Sequence, residues 1–447
     1  MNRALTRGQS RALAEVDSMI RGQAPHSVLL VGPAAVGKTT LALDLAAGLL
    51  CNDPDPAARP CRACRGCRQV ASGNHPDLHR LNPEGPGGQI RIGKAGDPEP
   101  GTVRHLIAEL ALLPVEGGAR VVIVEAAHRL NEDAQNALLK MLEEPPAGVT
   151  IVLCADDEEC LLPTVRSRCV RIRLGAVGGR EIEGWLGEMG LADPPRAARL
   201  ARLAEGRPGL ALAYARSEDA ERLRGEIARG ILDMLASGRQ ERLAVVRDLM
   251  KSAAALEAAL EAGRRVPGAD DEAPASRSSR GRKGKAARPE VDPAAETTGT
   301  TPGDDDASRT DGDGADGAAA DASAPRLAAS DRRSAAAALI GIWSSVARDI
   351  AVTAAGGTAR IREVALIDEL PGIAPAVAPA TLAAFLGRAA EVAIQLDDNV
   401  NPELALDVLA LTWPRVELPA PARSGGAGSG GAGSAGRRPP VSAGPRR

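Results

Sequence analysis

Two groups of residues in this 447-residue chain have the types and spacing to do chemistry. The first is Gly32-Pro33-Ala34-Ala35-Val36-Gly37-Lys38-Thr39, which meets GxxxxGK[ST] at every fixed position. It follows the apolar run Val28–Val31 and opens a helical pattern from Thr40 to Leu50, the context a phosphate-binding loop needs. The glycines let loop amides converge on phosphate oxygens, and the helix N-terminus adds a favourable dipole. Lys38 would neutralise β/γ-phosphate charge and Thr39 would ligate Mg²⁺, with Gly32, Gly37 and Thr40 completing the candidate ATP site. The second group is Cys51, Cys61, Cys64 and Cys67. Thiolates two residues apart can share one tetrahedral Zn²⁺, and four fill its shell, so structural rather than catalytic zinc is expected. The intervening Pro60, Arg62, Arg65 and Gly66 are poor core formers, which argues against four merely packed cysteines. Cys154, Cys160 and Cys169 lie in or near apolar strand segments and read as core.

A phosphate loop needs an acidic partner ending a neighbouring strand. Val121–Val124 ends in Glu125, which can help hold Mg²⁺. A hydrolysing ATPase usually follows with a Glu that polarises water, and here Ala126 follows instead. The loop is therefore suited to binding, with little or no hydrolysis of its own expected. His128 reads as a surface or packing residue.

These residues need a scaffold, and the pattern supplies one. Up to about Leu174, the runs Ser27–Gly32, Arg120–Glu125, Thr150–Ala155 and Val170–Leu174 alternate with helical patterns, as in an α/β unit with a largely parallel sheet. Beyond it the pattern is helical, so the fold class is α/β plus all-α. The expected units are an α/β domain over 1–175 with its cysteine module at 51–67, a small helical domain over 176–217, and a C-terminal helical domain over 218–263 and 333–417. Helix is expected to continue from Glu218 to about Gly263, then at Arg333–Ala355 and Pro379–Leu411. Between them, 264–332 has almost no large apolar residues, and its 11 basic and 14 acidic residues read as a disordered linker. The segment 420–447 reads as a disordered tail.

Composition excludes several classes. Only five aromatics occur, so the cores should be aliphatic and no stacking platform for single strands is expected. A net charge of −3 does not fit a stand-alone nucleic-acid binder. No run approaches the roughly 18 consecutive apolar residues of a membrane span, and Met1–Ile20, with its scattered charges, lacks the apolar core of a secretory signal, so none is expected there. Seven cysteines, four of them clustered, fit a reducing cytoplasm rather than a disulfide framework.

Three further stretches are distinctive: Asn131–Pro146 (NEDAQNALLKMLEEPP), Leu161–Cys169 (LLPTVRSRC) and Asn399–Leu406 (NVNPELAL). With the phosphate loop and the four-cysteine insertion, they make the chain resemble bacterial clamp-loader subunits of the AAA+ class, of the delta prime kind. The likeness is strong over 1–175, looser over 176–250 and 333–415, and absent from the low-complexity segments. It implies an AAA+ domain with a zinc-binding insertion, a helical lid and a C-terminal collar. Arg168 matches the family's arginine finger, offered in trans to ATP on a neighbouring gamma/tau subunit. Pairing to a local carboxylate is the alternative for Arg168, and Arg166 and Arg171 are nearby alternatives as finger.

The implied setting is a hetero-pentameric ring with gamma/tau and delta subunits. Such a ring loads the sliding clamp onto primed DNA as part of a DNA polymerase holoenzyme, with no polymerase chemistry in this chain. The gamma/tau motor shares the loop, the cysteines and Ser167-Arg168-Cys169. It would carry Asp-Glu where Glu125-Ala126 stand, and a sensor arginine at the position Gly209 occupies, two residues from Arg207. An active motor subunit is thus one rival reading. A zinc-bearing, nucleotide-sensing DNA-binding regulator is another.

Overall fold

The computed structural model describes residues 3–83, 88–94, 96, 99–112, 114–116, 118–264, 328–397 and 400–416. Most of the expected linker at 264–332, and all of the expected tail at 420–447, lie outside the described residues.

Five strands form one parallel sheet: β1 (Ser27–Val31), β2 (Leu78–Leu81), β3 (Arg120–Val124), β4 (Val149–Ala155) and β5 (Val170–Arg173), in the order β2-β3-β4-β1-β5. Parallel pairing requires crossovers, and the helices that make them bury both faces. Val28, Leu30, Val121, Ile123, Val152 and Cys154 face one side. They pack on Val16 and Ile20 of α1 (Ser10–Arg21) and Leu41 and Leu45 of α2 (Lys38–Leu49). Beyond α2, the short α3 (Arg65–Ala71) carries Cys67. Leu29, Val122, Val124, Ile151 and Leu153 face the other side, against α4 (Val103–Leu110) and α5 (Glu132–Glu143). The side-chain period of two, apolar in both phases, makes these strands read as continuous apolar runs.

β2 is absent from the four runs expected from sequence. It is a short edge strand, Leu78-His79-Arg80-Leu81, with only its two ends apolar. α2 also starts at Lys38 rather than Thr40, because Gly37 (φ +111°) takes the left-handed N-cap position. After β4, the single turn α6 (Pro163–Arg166) leads into β5.

Beyond β5 the described residues form helices: α7 (Gly179–Glu188), α8 (Pro194–Ala204), α9 (Pro208–Arg216), α10 (Glu218–Asp233), α11 (Arg239–Arg264), α12 (Ala329–Ala354), the short α13 (Leu370–Ile373), α14 (Pro379–Asp397) and α15 (Pro402–Thr412). Two expected long helices are each broken. The first breaks before α11, and the second at Asn401-Pro402, where Asn401 caps α15 through the Glu403 amide at 2.9 Å. α12 begins at Ala329, four residues before the expected start. One apolar cluster runs from Val177 to Val416, so the expected boundary at 217 falls inside a continuous core.

That core is not purely aliphatic, contrary to expectation. Trp343, Phe385 and Trp413 meet with ring centroids 4.6, 5.6 and 5.7 Å apart, and the Trp413 indole donates to Ile231 O at 3.1 Å. Concentrating three of the five aromatics here lets a few residues fill the centre of the bundle. By length and composition α12 could cross a membrane. Arg348-Asp349 interrupts its apolar run, and Trp343, Val346 and Ile350 are buried among the other helices.

Candidate functional site

The parallel register carries three strand ends to one edge. Val31 pairs with Ala155, so Gly32 and Asp156 follow side by side, and Val124 pairs with Leu153, which sets Glu125 level with Cys154 on the same edge. In open α/β sheets this edge is where ligands bind. The phosphate loop leaves β1 here, with Gly32 N donating to Ala155 O at 3.2 Å.

Lys38 is 7% exposed and donates to three oxygens: Gly32 O at 2.6 Å, Pro33 O at 2.8 Å and Asp156 Oδ1 at 2.6 Å. Thr39 and Thr40 are half-buried on the first turn of α2. Glu125 pairs with Arg80 of β2, Nε to Oε1 2.6 Å. His128 Nδ1 accepts the Asp156 amide at 3.2 Å, and its Nε2 lies 3.8 Å from Asp156 Oδ2. Ala126 offers no functional side chain at this edge. The groups brought together are therefore Lys38, Glu125 and Asp156, with Arg80 and His128 behind them. Burial, then Glu125, push the Cys154 thiol beneath them up to about 12.

The lid approaches the loop directly. Gly209 N donates to Ala35 O at 2.9 Å, and a Cβ at 209 would stand 3.0 Å from that oxygen. Arg207 does not take the place of a side chain at 209: its Nε donates to Ala204 O at 3.0 Å, and it lines a cavity of 520 Å³ with Ala34, Ala35 and Arg224.

Arg168 lies apart from these groups, in the turn between α6 and β5. Its Nη1 donates to Thr164 O at 2.8 Å, and its Nη2 pairs with Glu143 at the end of α5. The guanidinium is 34% exposed. Arg171 sits 3.7 Å from Glu158, and Arg166 ends α6.

The four cysteines converge. All four Sγ atoms lie within 4.8 Å of one another, with Cys51–Cys64 at 3.8 Å and Cys61–Cys67 at 4.0 Å. Tetrahedral ligands at about 2.3 Å from one zinc stand about 3.8 Å apart, so the donor set fits the metal. Amides of Cys61, Cys64 and Cys67 donate to Cys51, Cys61 and Cys64 sulfurs at 3.3–3.4 Å, as thiolates require. The amides of Ala63 and Cys64 hold the Cys61 thiol down to about 6, while burial pushes Cys51 and Cys67 up. Zinc would supply cross-linking here, and no open position for chemistry. The module is tied to the loop helix: Arg62 pairs with the fully buried Asp44 of α2, which also accepts from Thr6 N at 2.9 Å and Thr6 Oγ1 at 2.7 Å.

Of the other cysteines, Cys154 is buried as expected, but Cys160 is exposed and Cys169 half-buried. Cys160 lies in the loop after β4, behind the acidic run Asp156–Glu159, and not in a strand. Sequence reasoning also passed over Asp156, Arg80 and Glu143. An acidic residue just past the strand beside the phosphate-loop strand was the available signal for Asp156.

Comparison with known proteins follows the same outline. Residues 8–177 match the family model described as DNA polymerase III, delta subunit. The delta' subunit of Pseudomonas aeruginosa is 36% identical over 217 residues, 48% of this chain and 63% of that protein. The delta' subunit of Escherichia coli is 36% identical over 199 residues, 44% of this chain and 57% of that protein. The Escherichia coli tau subunit is 35% identical over 205 residues, 44% of this chain and 30% of that protein. The chain thus spans less than two thirds of the length of these relatives. A solved gamma subunit-related protein from Thermotoga maritima is 21% identical, covering 56% of this chain and 77% of its own, at a TM-score of 0.30, too loose a likeness to argue from. Over residues 8–177, with its parallel sheet, phosphate loop and cysteine cluster, the chain is thus similar to DNA polymerase III subunits of the delta' kind.

Proposed function

We propose that this chain is the delta prime-type subunit of a bacterial clamp loader, assembling with gamma/tau and delta subunits to place a sliding clamp on primed DNA. In that reading it is a cytoplasmic replication protein with a structural zinc. The observation that carries it is the state of the phosphate edge, together with an exposed Arg168 that lies apart from it. Glu125 is paired to Arg80, Ala126 follows it, and backbone alone meets the loop at Gly209. Binding groups remain in Gly32, Gly37, Lys38, Thr39 and Thr40, while the groups that would activate water or sense a γ-phosphate are missing. The chain therefore binds nucleotide with Mg²⁺ at Thr39 and Glu125 and turns it over slowly or not at all.

Arg168 then acts outward, on ATP held by a gamma/tau neighbour, where a planar cation stabilises transition-state charge. Its pairing with Glu143 supports a holding role: a half-exposed pair is weak enough to be exchanged for a phosphate. Assembly through the C-terminal helices is supported by Leu404, Val408 and Leu411. They recur at helical spacing on α15 and are 61%, 45% and 48% exposed, with Ile394 of α14 at 67%. ATP binding by the ring would favour one arrangement of the subunits and hydrolysis another, through differential contacts in two states.

The intact phosphate loop and the 35% identity to a tau subunit favour one second reading, an ATP-hydrolysing motor of the gamma/tau type. The test is reconstitution of the purified chain with cognate gamma/tau and delta subunits, followed by ATPase with clamp and primed DNA. Co-purification, with hydrolysis by the complex far above that of the chain alone, is the expected result. Hydrolysis by the chain alone at the rate of the complex would establish the motor reading instead.

A further inference from the structure

An ammonium has three protons to donate, and Lys38 commits all three. Two go to carbonyls of its own loop, and the third goes to the Asp156 carboxylate at 2.6 Å. The geometry is anchored from both sides. Asp156 directly follows β4, whose register against β1 sets Ala155 beside Val31, and its backbone amide donates to His128 at 3.2 Å. The carboxylate itself is 40% exposed, so it can turn away from Lys38 without unpacking anything.

We propose that Asp156 is a specificity-determining residue that makes this loop select a nucleoside diphosphate over the triphosphate. The proposal rests on the reading that the loop holds nucleotide. A phosphate-loop lysine serves the β- and γ-oxygens, while loop amides and the helix N-terminus cradle the inner phosphates. A diphosphate can be held by the amides of 32–39 and share Lys38 with Asp156. A third phosphate brings further negative charge to the carboxylate that Lys38 already faces. It must either displace Asp156 or lie beside it, and both cost affinity.

Among the described residues, the basic side chains in contact with Asp156 are Lys38, which it already holds, and His128. Glu125 adds a second carboxylate, engaged by Arg80, and position 209 of the lid contributes an amide and no cation. The burial-raised Cys154 thiol, which Lys38, Glu125 and Asp156 all influence, sits under the same three charges and supplies no compensating donor to the outer side.

The experiment is calorimetric titration of the full chain with Mg-ADP and with Mg-ATP, for the native protein, Asp156→Asn and Asp156→Ser. Thermal melts check that each variant is folded. The native chain should prefer ADP by about tenfold or more, which lies between the bulk-water and near-surface limits for one like-charge contact. Asp156→Asn keeps the shape and removes the charge, so it should tighten ATP by about tenfold and leave ADP within about threefold. ATP binding that appears only in the variants would support the assignment as well. Equal affinities in the native chain, an unchanged ATP-to-ADP ratio in both folded variants, or no binding by any of the three would overturn it. Co-purification with gamma/tau and delta subunits is read separately, so failure here and failure of the clamp-loader reading give different results.

Discussion

Gly209 donates its backbone N–H to the Ala35 carbonyl at 2.9 Å, which seats the start of α9 on the tip of the phosphate loop. Ala35 itself is in the left-handed region, φ +60°, so the contact fixes a loop residue that has little conformational latitude. The lid and the loop therefore share one backbone hydrogen bond at the point where a side chain would otherwise intervene.

Any side chain at 209 has to push the two apart. A Cβ there would stand 3.0 Å from Ala35 O and 3.4 Å from Ala35 Cβ. Gly209→Val should cost about 1–3 kcal/mol, the usual range for overpacking. Thermal melting checks it, and an unchanged melting temperature would mean that the lid does not rest on the loop in solution.

Arg168→Ala separates chemistry from stability. Its pair with Glu143 is 34% and 47% exposed, so its loss should cost under about 1 kcal/mol and leave assembly intact. On the proposed trans role, hydrolysis at the neighbouring ATP site in the reconstituted complex should fall by about 10³-fold or more. ATPase counted per complex, beside gel filtration of the assembly, distinguishes the two effects. Retained activity at every site would assign Arg168 to the Glu143 pair alone.

These two cases show which parts of the molecule were legible in the sequence. The phosphate loop was, because its residues are contiguous and the strand and helix around it carry their own periodicity. So was the buried face of α5, where Ala134, Leu138, Met141 and Leu142 recur at helical spacing. The clustering of Cys51 with Cys61, Cys64 and Cys67 also followed from ligand spacing. Asp156 was not, because it meets Lys38 across 118 residues and only through the β1–β4 register. Arg80 was hidden for a related reason: its reach to Glu125 depends on β2, whose inner residues are His79 and Arg80 and give no apolar signal. The aromatic cluster draws on three separate segments, so no local pattern announced it.

Asp77 should give the protein an acid-sensitive contribution. It is 1% exposed and accepts from Val115 N at 2.8 Å and Glu116 N at 2.9 Å, with Arg120 Nη2 at 3.6 Å. Burial pushes its carboxyl upward, but those amides and Arg120 win and hold it below the usual carboxylate range. A depressed pKa means the folded state binds the proton less well than the unfolded one. The contribution is thus present above the ordinary value of about 3.9 and lost as pH falls through the lower folded value. Asp77→Asn should cost about 2–3 kcal/mol near neutrality, and its gap to the native protein should narrow only below about pH 4. Melts across that window check both points; a gap that closes at higher pH would place the controlling group elsewhere.

The buried Arg224–Glu363 pair should be costly to break and cheap to replace. Its guanidinium and carboxylate are 8% and 2% exposed, joined at 2.6 Å and 3.3 Å, and Arg224 also donates to Tyr214 Oη at 3.1 Å. Despite burial, which acts to lower it, the Glu363 charge raises the Arg224 pKa. Arg224→Ala should destabilise by about 3–5 kcal/mol, because it leaves Glu363 buried without its cation. Arg224→Met with Glu363→Leu should recover most of that loss. Denaturant unfolding of both variants is the check, and a double variant as weak as the single one would show that the pair's geometry itself is needed.

Zinc removal tests the link between the cysteine module and the phosphate loop. The module's polar ties to the loop helix include Cys67 Sγ to Ala47 O at 3.6 Å and the pair of Arg62 with Asp44, which also holds the amides of Leu5 and Thr6. Its sulfur spacing predicts about one zinc per chain by metal analysis, and Cys64→Ser should lower that content, since three ligands hold the ion less well. Because Arg62 lies between Cys61 and Cys64, losing the metal should also release Arg62 from Asp44. The segment Leu5–Thr6 would then loosen along with the module while the sheet stays folded. Hydrogen exchange on the chelated protein should show faster exchange at residues 3–6 and 51–67, with β1, β3 and β4 still protected. A folded native protein without zinc would remove the metal from the account, and exchange confined to 51–67 would cut the module from the loop helix.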